Sequence, residues 1–253
     1  MLLENADGFF WLVLLLAPLL FLQRSLHREI QGVFLLITRR PDISLALFSL
    51  LFFPGVFLHE ASHFLMSRLL GVPTGHVSLL PRPMENGRLQ LGYVETGRTD
   101  IFRDALIGMA PLITGGLCVA FTGMRGLDLD HLWTAIVSEQ GVTFTEALKT
   151  VAARPDFWLW FYLTFVISST MLPSASDRRA WLPLVLVFGT LLGVVLLAGA
   201  GPWLVQNLAP SLNSLLRALA AVFGISVVVH GLILIPTWAL RKLISKVTRL
   251  QVV

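Results

Sequence analysis

The chain has 253 residues, of which 55% are hydrophobic and only 13% are charged, and its mean hydropathy is +0.77. A soluble domain carries about 25% charged residues, so this composition excludes an ordinary soluble protein and indicates an integral membrane protein. The formal net charge of +4 requires no nucleic-acid partner, because Lys and Arg gather at the ends of apolar runs, where lipid headgroups and membrane orientation explain them.

Six apolar runs predict the architecture. Each has room for about 20 apolar residues, which at 1.5 Å per residue cross the hydrocarbon core of a bilayer. We therefore predict an all-α, polytopic membrane protein with about six transmembrane helices, at residues 8–23, 45–70, 104–124, 156–174, 181–199 and 212–240.

The first apolar run is predicted to remain as a helix and not to be a cleaved signal peptide. It has no basic n-region, since Glu4 and Asp7 are acidic, and it has no small-residue cleavage site. The basic segment from Arg24 to Asp42 is apolar only briefly, which predicts an interfacial helix or turn. The single cysteine, Cys118, excludes an intrachain disulfide and a cysteine-based zinc site.

The second run contains the sequence His59-Glu60-Ala61-Ser62-His63. On a helix, the HExxH spacing puts two imidazoles on one face, where both can bind one Zn²⁺, and Glu60 can take a proton from a metal-bound water. Histidines and carboxylates are costly in hydrocarbon, so a functional site is the default explanation for them there. The alternative interpretation is a polar patch that pairs helices.

The stretch from His76 to Gly97 follows the HExxH helix and predicts a small, membrane-associated β-hairpin. Asn86-Gly87 is a strong two-residue turn signal, and polar and apolar residues alternate from Arg88 to Glu95. Such a hairpin could offer an edge strand to an extended peptide, or it could be a plain connection, and the sequence leaves both open. Two amphipathic helical patterns, Leu132–Val137 and Phe144–Val151, lie in the later stretch 125–156.

Zinc needs a third protein ligand, and Asp177 is the best candidate. It follows Pro173 and a run of small residues near the end of the fourth predicted span, at the same predicted depth as the HExxH pair. Alternatively, Asp177 pairs with Arg178 or Arg179 at the membrane interface.

Other polar residues at depth are secondary candidates. His230, in the last span, is the rival third ligand, although a hydrogen-bonded packing role fits it better. Ser169 or Ser174 could hydrogen-bond a ligand or a developing oxyanion, or serve helix packing.

The basic C-terminal tail, Arg241 to Arg249, predicts a cytoplasmic C-terminus. With six spans, the N-terminus, the hairpin and Arg178-Arg179 are then cytoplasmic, and the 125–156 loop is external. The basic 24–40 segment conflicts with this scheme, because the scheme places it outside.

These residues resemble the site-2 protease family of intramembrane zinc metalloproteases, over a core from about Phe52 to Trp181. Phe-Leu-His-Glu-Ala-Ser-His-Phe-Leu at 57–65 is similar to the family's HExxH helix. Gly-Met-Ala-Pro-Leu-Ile-Thr-Gly-Gly-Leu at 108–117 is similar to its middle core helix. Leu-Pro-Ser-Ala-Ser-Asp at 172–177 resembles the segment that ends in Leu-Asp-Gly. The chain has Thr114 where the family often has Asn, and Ser176 and Arg178 beside the aspartate, as in a divergent member.

The resemblance implies hydrolysis of a peptide bond in or beside a transmembrane segment of a substrate membrane protein. It also implies a β-hairpin directly after the HExxH helix. We expect a multi-pass protein of the cell membrane with three parts: an N-terminal helix and interfacial segment at 1–44, a metalloprotease core at 45–181, and C-terminal helices with a basic tail at 182–253. In the core, His59, His63 and Asp177 are expected to bind Zn²⁺, with Glu60 as the general base.

Two other classes of function remain open at this point. One is a catalytically inactive membrane scaffold of the same fold, which would lack the third ligand or the metal. The other is a metal transporter, which would need several carboxylates and histidines along a path, in a fold that is often built from inverted repeats. The sequence shows one cluster only, which favours the protease.

Overall fold

The structure, a computed structural model, describes residues 7–79, 81–83, 89–129, 131–132 and 144–250. The protein is mostly helical. The helices are α1 (Asp7–Thr38), α2 (Pro41–Leu69), α3 (Ile101–Phe121, continued by a π-helical turn at Thr122–Gly126), α4 (Phe144–Ala152), α5 (Phe157–Thr170), α6 (Trp181–Leu197), α7 (Gly201–Asn207) and α8 (Ala209–Thr248). The strands are β1 (Thr74–Ser78), β2 (Arg82–Pro83), β3 (Leu89–Gln90) and β4 (Tyr93–Thr96).

Helix length and composition agree with a helical membrane protein. Four helices are long and apolar enough to cross a bilayer, namely α1, α2, α3 with its π-helical turn, and α8. Helices α6 and α7 would make a fifth candidate span if taken together, although the chain bends by 115° between them. The run predicted to span at 156–174 forms the 14-residue helix α5 and unwinds after Thr170. The mostly helical structure is therefore consistent with the predicted helical membrane protein, whereas the number of six spans stays a prediction.

The predicted small β-structure after the HExxH helix is present. Strands β1 and β4 pair in antiparallel fashion, with Val77 opposite Val94, and β2 pairs with β3, with Arg82 opposite Gln90. The predicted Asn86-Gly87 turn lies outside the described residues, as does most of the pattern at 132–137. The second amphipathic pattern is confirmed, because Phe144–Val151 falls within α4.

The basic segment after residue 23 does not form the separate interfacial element that the sequence predicted. It continues α1 to Thr38, which makes a helix of 32 residues, about 48 Å long. Its buried residues Leu26, Ile30, Val33 and Leu36 recur at helical spacing and form an apolar stripe on the packed face. The exposed Arg24 and Arg28 and the buried Glu29 interrupt the apolar run in sequence, and this hid the continuous helix.

Helices α1 and α8 are parallel neighbours. At one end, the Gly8 N–H donates to Asn213 Oδ1 over 2.8 Å, and at the other end Arg241 forms an ion pair with Glu29. Residue numbers therefore increase in the same direction along both helices.

The remaining central helices alternate around this pair. Near the short α1–α2 connection, Ser44 Oγ donates to the Gln31 carbonyl, so α2 runs back along α1. Helix α5 is parallel to α2, because its earlier residue Tyr162 donates from Oη to the carbonyl of Leu51, and its later residue Thr170 contacts the later residue His59. Helix α3 is antiparallel to α5. Thus α1, α3 and α8 point one way, while α2 and α5 point the other way.

These directions correct the predicted orientation. The start of α1 and the end of α8 lie at opposite ends of the bundle, so the prediction that both termini share one side is wrong. The α6–α7 pair starts and finishes at the end where α2 and α5 finish, and it buries no side chain. The basic segment 24–40 and the basic tail lie together at one end, which removes the conflict in the sequence-based scheme. The β-strands lie at the other end.

Labelling of introduced cysteines tests this arrangement. In a Cys118→Ala background, Thr99→Cys marks the end with the β-strands, and Lys246→Cys marks the end with the basic tail. We expect a membrane-impermeant thiol reagent to reach the two cysteines from opposite faces of sealed vesicles, with Lys246→Cys on the cytoplasmic face because basic segments favour that side. Labelling of both from the same face would contradict the placement of the β-strands and the basic tail at opposite ends of the bundle.

Candidate metal centre

The three predicted ligands lie together. His59 and His63 are one helical turn apart on α2, and their Nε2 atoms are 3.2 Å from each other. The Asp177 carboxylate, from the connection between α5 and α6, lies 3.8 Å from His59 Nε2 and 3.5 Å from His63 Nε2. Among the described residues, these are the one group of three or more His, Cys, Asp or Glu side chains placed to hold a metal ion.

The spacing of these atoms fits a tetrahedral zinc site. Bonds of about 2.0–2.2 Å at tetrahedral angles separate neighbouring ligand atoms by about 3.3–3.6 Å, close to the three observed distances. Three protein ligands also leave a fourth position, which distinguishes catalytic zinc sites from closed structural ones.

Backbone carbonyls set the tautomers of both imidazoles. His59 Nδ1 lies 2.6 Å from the Thr170 carbonyl oxygen, and His63 Nδ1 lies 2.9 Å from the Ile107 carbonyl oxygen. A carbonyl oxygen only accepts, so in each case the Nδ1–H donates and Nε2 is left with a lone pair. Two such lone pairs facing each other beside a carboxylate are suited to hold a cation between them. In metal-binding histidines, one ring nitrogen binds the metal while the N–H of the other donates to a carbonyl or a carboxylate, which fixes the orientation of the ring.

Both carbonyls are free for a reason visible in the sequence. In a helix, the Ile107 carbonyl would accept from the N–H of residue 111, but Pro111 has no N–H. Thr170 is the last residue of α5, and the last carbonyls of a helix have no partner within it. Neither contact was predicted from the sequence, although Pro111 within the quoted middle helix signals the first of them.

Asp177 is fixed by its own loop and by close packing on α3. The Ser174 N–H donates to Asp177 Oδ2 over 2.7 Å, and the Asp177 N–H donates back to Ser174 Oγ over 3.3 Å. Gly108 permits the approach of α3, because a Cβ there would lie only 2.0 Å from the Asp177 carbonyl oxygen. Ser174 is therefore the serine that holds the predicted ligand.

The alternative pairing of Asp177 with the two arginines that follow it is not observed. The Arg178 guanidinium donates to the Ser174 carbonyl. Arg179 forms a bidentate ion pair with Asp104 of α3, with N–O distances of 2.6 and 2.8 Å. The hydrogen bonds to Asp104 raise the pKa of Arg179 further above its usual value. The ion pair ties the loop that carries Asp177 to the helix that carries the Ile107 carbonyl.

Glu60 is buried between α2 and the β-strands. It follows His59 directly and is only 7% exposed. Gly92, just before β4, lies against it, because a Cβ at residue 92 would approach Glu60 Cγ to 2.8 Å and Oε1 to 3.1 Å. The absence of a side chain at Gly92 therefore provides the space that the Glu60 carboxylate occupies.

His230 is a packing histidine, the interpretation that its sequence context favoured. It is fully buried, its Nδ1 lies 2.7 Å from the Ser226 carbonyl oxygen, and its Nε2 lies 2.9 Å from Ser169 Oγ. With both nitrogens engaged, it is outside the group that could hold a metal. Ser169 accordingly contacts His230 and not one of the three candidate ligands.

No protein-family model, curated protein or solved structure matches this chain in the comparisons with known proteins. The resemblance to site-2 proteases therefore rests on the residues quoted above and stays a prediction.

The Arg179–Asp104 pair predicts a measurable effect on metal binding. Arg179→Gln releases the loop that carries Asp177, so zinc affinity should fall about tenfold, as for other partners that orient a ligand. Competition with a chelator of known affinity, in detergent solution, measures the change. The matched control is Arg103→Gln. Arg103 lies next to Asp104 on α3, and its ion pair is an exposed one with Asp100. Equal affinities in the two variants would contradict the role of the pair.

Proposed function

We propose that the protein is an intramembrane zinc metalloprotease, which cleaves a peptide bond in or beside a transmembrane segment of another membrane protein. The observation that carries this proposal is the convergence of His59, His63 and Asp177 at zinc-ligand spacing, with Glu60 next to His59. The apolar composition and the membrane-length helices support placing the chain as a multi-pass protein of the cell membrane. The substrate is then another membrane protein.

The residues have separate chemical roles in this proposal. His59, His63 and Asp177 would hold Zn²⁺, which when bound supplies Lewis-acid polarisation of the scissile carbonyl and acidifies a bound water. The Glu60 carboxylate is not needed as a ligand and is free to accept the proton of the attacking water. Glu60 then donates this proton to the leaving amine. Burial of Glu60 keeps bulk water away from the proton that it carries.

The position of the site suits a substrate within the bilayer. His59 is ten residues from the end of α2 at Leu69, or about 15 Å along the helix axis. Irregular backbone at such depth is tolerated only where protein or a water cavity covers it. The connection that follows α5 is such a stretch, and α2 and α3 cover it.

A substitution of Glu60 separates metal binding from chemistry. Glu60→Gln should retain zinc but reduce cleavage of a transmembrane substrate at least about a hundredfold, because the amide cannot accept the proton. His63→Ala should lose both, because it removes a ligand. Zinc content of the purified variants and cleavage in detergent or vesicles check this. Cleavage at the wild-type rate by Glu60→Gln would exclude the general-base role, and zinc without cleavage in the wild type would favour the inactive scaffold.

We also propose that the β-strands hold the substrate in extended form beside the zinc ligands. A helical substrate hides its scissile carbonyls in internal hydrogen bonds, so an edge strand is needed to stabilise the unwound segment. The two-stranded β1–β4 and β2–β3 ladders offer such edges, and Gly92 brings this region into contact with Glu60.

Proline at Gln90 tests the strand role. The substitution removes a backbone donor and disturbs one edge of the β2–β3 ladder. Cleavage of an intact transmembrane substrate should fall about tenfold, as expected from loss of about 1–1.5 kcal/mol of hydrogen bonding. Cleavage of a short, already extended peptide should fall less, and zinc content should hold. Equal loss for both substrates, or no loss for either, would make the strands a connection only.

A further inference from the structure

A second set of polar side chains lies inside the bundle, on helices outside the candidate metal centre. Gln23 of α1 donates from Nε2 to the Ser169 carbonyl, and His230 of α8 pairs with Ser169 Oγ over 2.9 Å. Both contacts meet in the last turn of α5. Polar side chains at this depth in apolar helices are costly, because each must find its hydrogen-bond partners within the protein.

Pro173 explains why the Ser169 carbonyl is available. Within a continuing helix, this carbonyl would accept from the N–H of residue 173, which proline lacks. A carbonyl left without a partner in an apolar interior costs free energy. The amide of Gln23 supplies the missing donor, and the irregular connection to Asp177 can therefore begin at this point.

The next peptide unit belongs to the candidate metal centre. Thr170, bonded to Ser169, carries the carbonyl that accepts from His59 Nδ1. The position and direction of that carbonyl follow the last turn of α5, which α1 and α8 hold at Ser169. Ion pairs at both ends, Asp7 with Arg217 and Glu29 with Arg241, fix α1 and α8 to each other.

We propose that Gln23 and His230 are positioning residues for the metal centre. They hold the last turn of α5, so that the Thr170 carbonyl receives the His59 Nδ1–H and His59 Nε2 points at the metal position. The proposal rests on the proposed function, since it presupposes a metal between His59, His63 and Asp177. It assigns the α1–α8 pair a role in the metal site as well as in packing.

A role confined to helix packing predicts a different result. In that case, loss of Gln23 or His230 would lower the stability of the fold without changing the affinity or the geometry of a bound metal. The readouts must therefore be metal affinity and a spectroscopic signature of the ligands, measured beside the thermal stability of the metal-free protein.

The experiment uses substitutions that keep volume and remove the polar contact. Gln23→Met removes the donor to Ser169 on a side chain of similar shape, and His230→Phe keeps a ring against Phe165. His230→Gln is the conservative variant, because its amide can still pair with Ser169 Oγ. His27→Phe is the matched control, since His27 lies one turn from Gln23, its Nε2 has no hydrogen-bond partner, and its ring packs against Phe48 and Phe52.

The full-length protein in detergent is titrated with Zn²⁺ against a chelator, and then with Co²⁺, whose visible absorption reports the geometry of its ligands. We expect Gln23→Met and His230→Phe to weaken Zn²⁺ binding about tenfold and to change the Co²⁺ spectrum. His230→Gln should restore most of the affinity, and His27→Phe should leave affinity and spectrum unchanged.

Two outcomes would overturn the inference while leaving the proposed function intact. The first is wild-type Zn²⁺ affinity, within about twofold, in both Gln23→Met and His230→Phe. The second is an equal loss of affinity in these variants and in His27→Phe, which would show a general effect of core substitution. Absence of Zn²⁺ binding in the wild type would overturn both proposals together, so the two failures are distinguishable.

Discussion

The structure depends on one constraint, which is that a polar group inside an apolar bundle must find its partner within the protein. An unpaired amide or carbonyl transferred out of water costs several kcal/mol, roughly 2–7 depending on the reference state. In the candidate centre, imidazole N–H groups donate to backbone carbonyls that have no hydrogen-bond partner within their own helix. Each imidazole Nδ1–H meets a helix carbonyl that has no N–H partner, either because proline follows at the fourth position, as at Pro111, or because the helix has ended, as at Thr170.

Close approach of the helices is also needed to satisfy these polar groups. Hydrogen bonds between elements are short, so the backbones that carry them must nearly touch. Gly55 lets α2 approach α5, where a Cβ would lie 2.4 Å from the Val166 carbonyl oxygen, and Gly115 lets α3 approach Met171. Small residues at helix contacts in membranes allow this proximity. The prolines and glycines of these core helices, which weaken helices in water, are therefore what permits the polar centre.

The three residues of the candidate metal centre could be predicted from the sequence because the chemistry of possible metal ligands is local. The spacing in HExxH fixes two side chains on one helix face whatever the rest of the fold does, and Asp177 stood out as a carboxylate after a helix-disturbing proline. The strands β3 and β4 were predictable for the same reason, since the alternation of polar and apolar residues from Arg88 to Glu95 acts over a few residues.

The features that sequence reasoning missed are properties of pairs of distant segments. The continuous helix α1 depends on a stripe packed within the bundle and on Glu29 meeting Arg241, more than 200 residues later. No local pattern contains that contact, and the sequence therefore suggested an interfacial segment. The parallel arrangement of α1 and α8 was missed because counting apolar runs assigns one crossing to each run. The run at 181–199 instead leads into a bend that returns the chain to the end from which it started.

The polar residues at depth also bear on the choice between chemistry and transport. A transported ion needs successive sites along a path, each with ligands that can release it. In the described part of the chain, two other ionisable groups inside the bundle already have partners: Glu29 pairs with Arg241, and His230 pairs with Ser169 and Ser226. His27 lies against two phenylalanine rings, without a carboxylate to share an ion. The candidate centre has three possible ligands and a neighbouring carboxylate, which are the parts that the proposed activation of water would use. Among the described residues there is no second group of this kind to which an ion could move, and this supports the proposal of hydrolysis over that of transport.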